Sequence, residues 1–289
     1  MAETYRKILV AYDGSPSARN ALTEACRLAR TDKSWIKVLA VLPSYEGDLE
    51  LIGVSRIGET ISGPGQTLLS EARAIADAAE VQVLTNMAQG EPYDRIVHVA
   101  EDENCDLIVM GRRGLTHLDR GLIGSVTARV IGYTKKDVLV VPATATIDWG
   151  HLLLPTDGSA CSDAAVAKAI AIAKARKSKL TAVSVAYTND EISALAPEAV
   201  NILIRHAQKL LHDVTNQAAQ EGLSLTTVVR EGEPEDAILA LAADIKASLI
   251  VMSSHGRKGL SRLLMGSVTE HVIGLGDCPV LVSHCGIIS

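Results

Sequence analysis

The sequence predicts an α/β protein of two tandem units, each an open, parallel, five-stranded sheet with helices on both faces. Three observations carry that expectation. Short apolar runs rich in Val, Ile and Leu alternate with stretches of helical periodicity, which makes right-handed strand–helix–strand crossovers and hence a parallel sheet. Leu107-Ile108-Val109-Met110-Gly111 reads as a buried central strand, and a glycine-rich loop leads from it to Gly124-Ser125-Val126-Thr127, where a new helical pattern begins. The stretch then recurs: Leu249-Ile250-Val251-Met252-Ser253 leads to Gly266-Ser267-Val268-Thr269 at a constant offset. Roughly half the positions match, so the chain is an internal duplication.

In order, residues 6–12 form an apolar strand, and Asp13-Gly14-Ser15-Pro16 turns into a helix with Ser15 as N-cap and Pro16 at the first helical position. That helix runs to about Arg30, with Ala18, Leu22, Ala25 and Leu28 on one face. A second strand spans 35–42. Residues 44–65 are irregular, glycine-rich and long for a compact domain, and read as a flap or an interface segment. A helix at 66–79, a strand at 81–87 and a helix opened by Gly90-Glu91-Pro92-Tyr93 lead to the central strand at 105–111. Beyond its loop come a helix at 125–131 and a last strand at 137–142. The small, polar stretch 144–149 is the expected linker between a first domain at 1–143 and a second at 150–289. The second copy repeats the order, with strands at 151–156, 179–186, 223–229, 247–253 and 280–282. Its helices fall at 161–177, 197–220 and 235–245, the second of them long and strongly amphipathic, followed by the one after the glycine loop.

Composition narrows the function. Twenty-eight basic and 34 acidic residues, interspersed, give a net charge of −6, and aromatic residues are 3% with no Phe. Both disfavour a basic nucleic-acid-binding face with stacking platforms. No uninterrupted apolar run approaches the ~20 residues of a membrane span. The opening residues 1–7 lack the apolar core and cleavage site of a signal peptide. The expectation is a cytoplasmic protein whose partners are neither nucleic acid nor membrane. The five cysteines are scattered without metal-ligand spacing and read as reduced structural thiols.

The chemistry points to the glycine loop. A helix start preceded by Gly and Ser presents unpaired backbone N–H groups, hydroxyls and the positive end of the helix dipole, a place for phosphate. In an open parallel sheet, ligands sit beyond the carboxyl ends of the strands where strand order reverses, so Asp13 and the glycine loop face one crevice. Taken singly, Asp13-Gly14-Ser15 is an ordinary capped turn, Gly111 and Gly114 are turn glycines, and Gly124-Ser125 is a plain helix cap. The joint spacing and its repetition favour a nucleotide.

The spacing Gly-x2-Gly-x9-Gly-Ser at 111–125, and Ser-x2-Gly-x9-Gly-Ser at 253–267, closely resembles the ATP-binding motif of the universal stress protein family. Asp13-Gly14-Ser15, Gly90-Glu91-Pro92 and the run 138–141 match other landmarks of that family, and Asp157-Gly158-Ser159, Gly232-Glu233-Pro234 and 280–282 repeat them. The resemblance covers nearly the whole chain as two family domains, and implies a Rossmann-like sheet of the adenine nucleotide alpha hydrolase-like type. It further implies that Asp13 and Val41 border an adenine, Gly111 and Gly114 the ribose and phosphates, and Gly124, Ser125, Val126 and Thr127 the phosphates, with Met110 beside them. In the second copy the matching residues are Asp157, Val185, Met252, Gly256, Gly266, Ser267, Val268 and Thr269. There Ser253 replaces the first glycine; its Cβ and hydroxyl crowd the ribose approach on one reading, and on the other a residue so small adapts, which leaves occupancy of the second site open.

Arg112, Arg113 and Arg120 stand in the first loop, and an arginine fork suits phosphate oxygens, with Arg113 the candidate contact; solvated loop charges are the other reading. Asp119 is either a surface carboxylate or an aid to Mg²⁺. The expected ligand is ATP, with or without Mg²⁺. No Gly-x4-Gly-Lys-Ser/Thr, Gly-x-Ser-x-Gly or His-Glu-x-x-His occurs, and no general base is placed to activate water, so rapid hydrolysis is not implied. The leading expectation is an ATP-binding stress-response regulator acting through nucleotide-dependent conformation or an unknown protein partner. The alternatives are a nucleotide-free interaction scaffold of the same fold and a slow adenine-nucleotide hydrolase. The resemblance also implies that the last strands pair, here between the two domains of one chain, and a homodimer is left open.

Overall fold

The computed structural model describes residues 5–42, 57–115, 123–256 and 265–284. The chain divides into two compact units, Thr4–Thr144 and Ala145–Ser289. In the first, strands β1 (Lys7–Ala11), β2 (Trp35–Leu42), β3 (Val83–Gln89), β4 (Leu107–Gly111) and β5 (Asp137–Val141) alternate with helices α1 (Pro16–Asp32), α2 (Ile57–Ala78), α3 (Pro92–Asp102) and α4 (Ser125–Tyr133). The strands lie in the order β3-β2-β1-β4-β5, each pair parallel. Chain order thus reverses between β1 and β4. Right-handed crossovers put α1 and α2 together on one face and α3 and α4 on the other.

The second unit repeats this with β6 (His151–Pro155), α5 (Ala160–Arg176), β7 (Lys179–Tyr187), α6 (Asp190–Leu195), α7 (Pro197–Gln220), β8 (Thr226–Gly232), α8 (Pro234–Asp244), β9 (Leu249–Ser253), α9 (Ser267–Leu275) and β10 (Val280–Ser283). Its parallel strands run β8-β7-β6-β9-β10, so its reversal falls between β6 and β9. The central strands are the core. Ile8, Leu9 and Val10 of β1, and Leu107, Ile108 and Val109 of β4, are wholly buried, as expected for strands covered on both faces. Among the described residues, no helix is long and apolar enough to cross a membrane.

The turn into the first helix is as the residues predict. Ser15 caps α1, its Oγ accepting from the Ala18 N–H, with Pro16 in the first turn. Gly14 has φ +78°, and a Cβ there would come within 2.6 Å of Leu68 on α2. Ser159 and Gly158 repeat both features, the latter against Leu210 on α7. Helix packing therefore presses on the same glycine in both units.

Several expectations are corrected. Of the irregular stretch expected at 44–65, residues 57–65 are helical and open α2, and 43–56 lie outside the described residues. Gly65, the last residue of that stretch, is where the helix crosses the ends of β2 and β3. A Cβ there would collide with the side chains of Met87 and Leu42. It is a packing glycine inside a helix. The short α6 was not expected, and β8 starts three residues later than the strand read at 223–229. Cys26 and Cys105 are buried free thiols, and burial pushes Cys26 up to about 11, out of reach of reactive thiolate chemistry. Cys161, however, is disulfide-bonded, against the expectation of reduced thiols throughout; Cys285 lies outside the described residues.

At the amino ends of the strands, Glu103 gathers Lys37 from β2 and Lys7 from β1, the latter at 3.2 Å. The hydrogen bond from Lys37 holds the Glu103 carboxyl below the usual carboxylate range, against the opposing effect of burial. A lowered carboxyl stabilises the fold above its unfolded value of about 4.3 and loses that contribution as pH falls through the folded value. Glu103→Gln is therefore expected to cost about 0.5–1 kcal/mol at pH 7 by urea unfolding. The difference from the parent should vanish in acid; a gap that persists there would mean the charge is not its source.

Candidate functional site

The reversal between β1 and β4 opens a crevice at the carboxyl ends of the first unit's strands, and two chain segments build it. The first is the turn after β1. Asp13 Oδ1 accepts from the Ser15 N–H at 2.9 Å, closing a tight Asx turn, while its Oδ2 accepts from the Leu115 N–H at 3.2 Å. One carboxylate thus ties the β1 turn to the loop after β4. Gly114 makes room for this, since a Cβ there would lie 2.5 Å from Asp13 Oδ2.

The second segment is that loop and the start of α4. Gly111 ends β4 against the first turn of α1, where a Cβ would meet the Ala18 nitrogen and Ser17 carbons at 2.8 Å. The Arg112 carbonyl accepts from the Gly124 N–H at 3.0 Å, and the Gly111 carbonyl from Thr127 Oγ1 at 3.1 Å. These bonds fix the start of α4 over the end of β4. Gly124 is the N-cap and supplies no side-chain cap. The N–H groups of Ser125, Val126 and Thr127 therefore begin the helix beyond reach of any intrahelical acceptor.

Together the segments enclose a cleft of about 360 Å³, within the range of small-molecule sites. One end is apolar, formed by Leu39 and Val41 of β2, Met110 of β4 and Pro92 and Ile96 of α3. The other is the bare amino end of α4, with Arg113 on the wall. Such an arrangement holds a flat apolar group at one end and an anion at the other. Below, Tyr12 is buried, and burial, then the charge of Glu71, pushes its phenol up to about 12, so it stays neutral.

The second unit reproduces the frame. Asp157 Oδ1 accepts from the Ser159 N–H at 3.0 Å, and Gly256 leaves the same room beside Asp157 Oδ2. Gly266 is again an N-cap without a side-chain cap bond, its N–H donating to the Ser254 carbonyl at 2.9 Å. Thr269 Oγ1 donates to the Ser253 carbonyl at 3.0 Å.

The model of the universal stress protein family matches residues 4–142 and again 149–284. The chain belongs to that family. A universal stress protein of Methanocaldococcus jannaschii is 37% identical over 135 residues, 45% of this chain and 79% of that protein. One from Mycobacterium tuberculosis is 27% identical over 217 residues, 73% of this chain and 72% of that one. The crystal structure of a universal stress protein from Archaeoglobus fulgidus covers 97% of this chain and 98% of its own, with a TM-score of 0.72 at 22% identity, a likeness of fold.

As a universal stress protein in tandem form, the chain brings ten of the residues singled out in its first half to one place. Asp13, Val41, Met110, Gly111, Arg113, Gly114, Gly124, Ser125, Val126 and Thr127 all line the cleft. The Thr127 hydroxyl turns away to Gly111, leaving its backbone N–H for the site. In the second half, Val185 lies on β7 and Met252 on β9, with Gly266, Ser267, Val268 and Thr269 at the start of α9. Residues 116–122 and 257–264, with His117, Asp119 and Arg120, lie outside the described residues.

At Ser253 the structure gives the direction of the side chain. Strand alternation puts Met110 on the cleft face, so position 111 points to α1, and the same register points Ser253 towards α5. Ser253 is buried, its Oγ donating to the His255 carbonyl at 2.7 Å. Sequence reasoning missed Leu39, Pro92 and Ile96 on the apolar wall. Leu39 was within reach, two residues before Val41 on the same strand face, whereas the α3 pair depends on where that helix docks. Gly111→Ala is expected to lose about 1–3 kcal/mol in urea unfolding, because its methyl meets α1 backbone. An unchanged midpoint would show that α1 has room to retreat.

Proposed function

We propose that the first unit binds an adenine nucleotide, ATP with or without Mg²⁺, and that the protein is a cytoplasmic stress-response regulator working through nucleotide-dependent conformation or partner binding. The observation that carries this is the cleft, with an apolar slot at one end and the uncapped start of α4 at the other. The base would lie against Val41 and Met110, the ribose beside Gly111 and Gly114, and the phosphates on the N–H groups of Ser125 to Thr127. A Cβ at Gly124 would stand 3.4 Å from the Arg112 carbonyl oxygen and Arg113 Cα, in ordinary contact with the loop, so a branched side chain is needed there to block the start of α4. Arg113 adds a cation on that side.

The test is the nucleotide released from freshly purified protein by heat denaturation. About one ATP per chain is expected, lost in a Gly124→Val, Ser125→Ala variant; about two would mean that the second unit is loaded as well. None, even after incubation with MgATP, would sink the reading and leave an interaction scaffold of the same fold. Arg113→Ala should weaken ATP by about tenfold while AMP changes far less, because the guanidinium serves the phosphate tail. Equal affinities for both ligands in variant and parent would remove Arg113 from the site.

A further inference from the structure

We propose that Ser17, which does not line the cleft, is the positioning residue that sets the phosphate-facing turn of the first unit. This rests on the nucleotide reading above. Ser17 sits in the first turn of α1, 7% exposed, under the end of β4. Its hydroxyl is fully used. Oγ donates to the Val141 carbonyl, the last residue of β5, at 3.1 Å, and accepts from the Arg112 N–H at 2.8 Å. It therefore joins α1, the end of β5 and the first loop residue after β4 in one contact.

That contact leads directly to the site. The peptide whose N–H meets Ser17 belongs to Arg112, and the Arg112 carbonyl receives the Gly124 N–H at the cap of α4. Ser17 is thus two hydrogen bonds from the first free N–H groups of that helix. The other bond of the Arg112 N–H, to the Val141 carbonyl, is 3.3 Å, at the long end of useful geometry, so the hydroxyl is its closer acceptor. Ser15 supports the next residue by donating to the Arg113 carbonyl at 3.3 Å, and Asp13 holds Leu115. The segment 13–17 is a rack on which loop backbone 111–115 is laid, and Ser17 is its end nearest α4.

The two units differ here. By the register of the two turns, Asp13 to Asp157 and Ser15 to Ser159, the place of Ser17 is taken by Cys161, whose sulfur is committed to a disulfide. No hydroxyl stands there to receive the Ser254 N–H. Ser162 instead turns its hydroxyl back to Ser159 and Thr156 within its own turn. Ser17 is therefore a feature of the first unit, and it favours phosphate recognition there.

The test compares Ser17→Ala with the parent, in the full chain, by titration with ATP and with adenosine, alongside amide hydrogen exchange of the unliganded protein. ATP affinity is expected to fall by about tenfold while adenosine affinity stays the same, because only the phosphate end is displaced. Exchange should accelerate at Arg112 and Gly124 and not across β1 or α1. Thr23→Ala, which removes an exposed α1 hydroxyl bonded to the Arg19 carbonyl, should change none of these. Equal loss of ATP and adenosine would show a general packing role and overturn the proposal, as would unchanged ATP affinity. If the parent binds neither ligand, the nucleotide reading fails by itself. Exchange then decides the clamp: acceleration confined to the loop upholds it, and none overturns it.

Discussion

The constraint on which the functional edge of the first unit depends is the contact between the backbone of α1 and the end of β4. Gly111 has no side chain because the backbone of Ser17 and Ala18 fills the space that one would need. The contact does two things at once. It lets α1 cover the central strands, whose burial supplies the hydrophobic stabilisation of the unit, and it brings the polar first turn of α1 within hydrogen-bond distance of the loop after β4. The side-chain bonds from the start of α1 to that loop depend on the approach: Ser17 to the Arg112 N–H and the cap residue Ser15 to the Arg113 carbonyl. A retreat of α1 by the width of a methyl group would loosen both.

Beside this well-satisfied frame stands one region that is deliberately unsatisfied. Helix α1 is closed by Ser15, whose side chain accepts an N–H of the first turn, whereas α4 begins at Gly124 with no side-chain cap. Uncapped helix starts are costly when buried and useful when they face a cleft, because an anion can supply the missing acceptors. The Thr127 hydroxyl is spent on the Gly111 carbonyl, so what Thr127 offers the cleft is its backbone N–H, beside those of Ser125 and Val126. Backbone recognition demands an accurately placed turn, which is why residues outside the cleft matter to it.

The duplication shows which features travel with the frame. The capped first helix, the left-handed glycine after Asp13 and Asp157, the open caps at Gly124 and Gly266, and the inward threonine hydroxyls all recur. The contacts under the loop do not. The places of Gly111 and Ser17 are taken by Ser253 and Cys161 in the second unit, and those of the paired arginines by Ser254 and His255. The strand ends are kept while the side chains beneath and above the loop have diverged, so the two halves need not share one ligand affinity.

Much of this was legible in the residues. Alternating apolar runs located the strands because central parallel strands are buried on both faces, and Trp35–Leu42 and Pro197–Gln220 fall where periodicity put them. The ten cleft residues of the first unit were legible because the motif packs most of them into two short segments. What failed was whatever depended on neighbours distant in sequence. Gly65 reads as part of an irregular stretch until Met87 and Leu42 are seen against it. The direction of the Ser253 side chain emerges only when strand alternation is combined with the side on which the helix lies. The apolar wall from α3, the disulfide at Cys161 and the Ser17 clamp likewise join segments far apart along the chain. The sequence by itself determined the repeat, the α/β order and the chemistry of the loop, because those are local patterns of periodicity and spacing. Only the tertiary structure decided which groups face the cleft and which are spent holding it, because that depends on how closely α1 approaches β4.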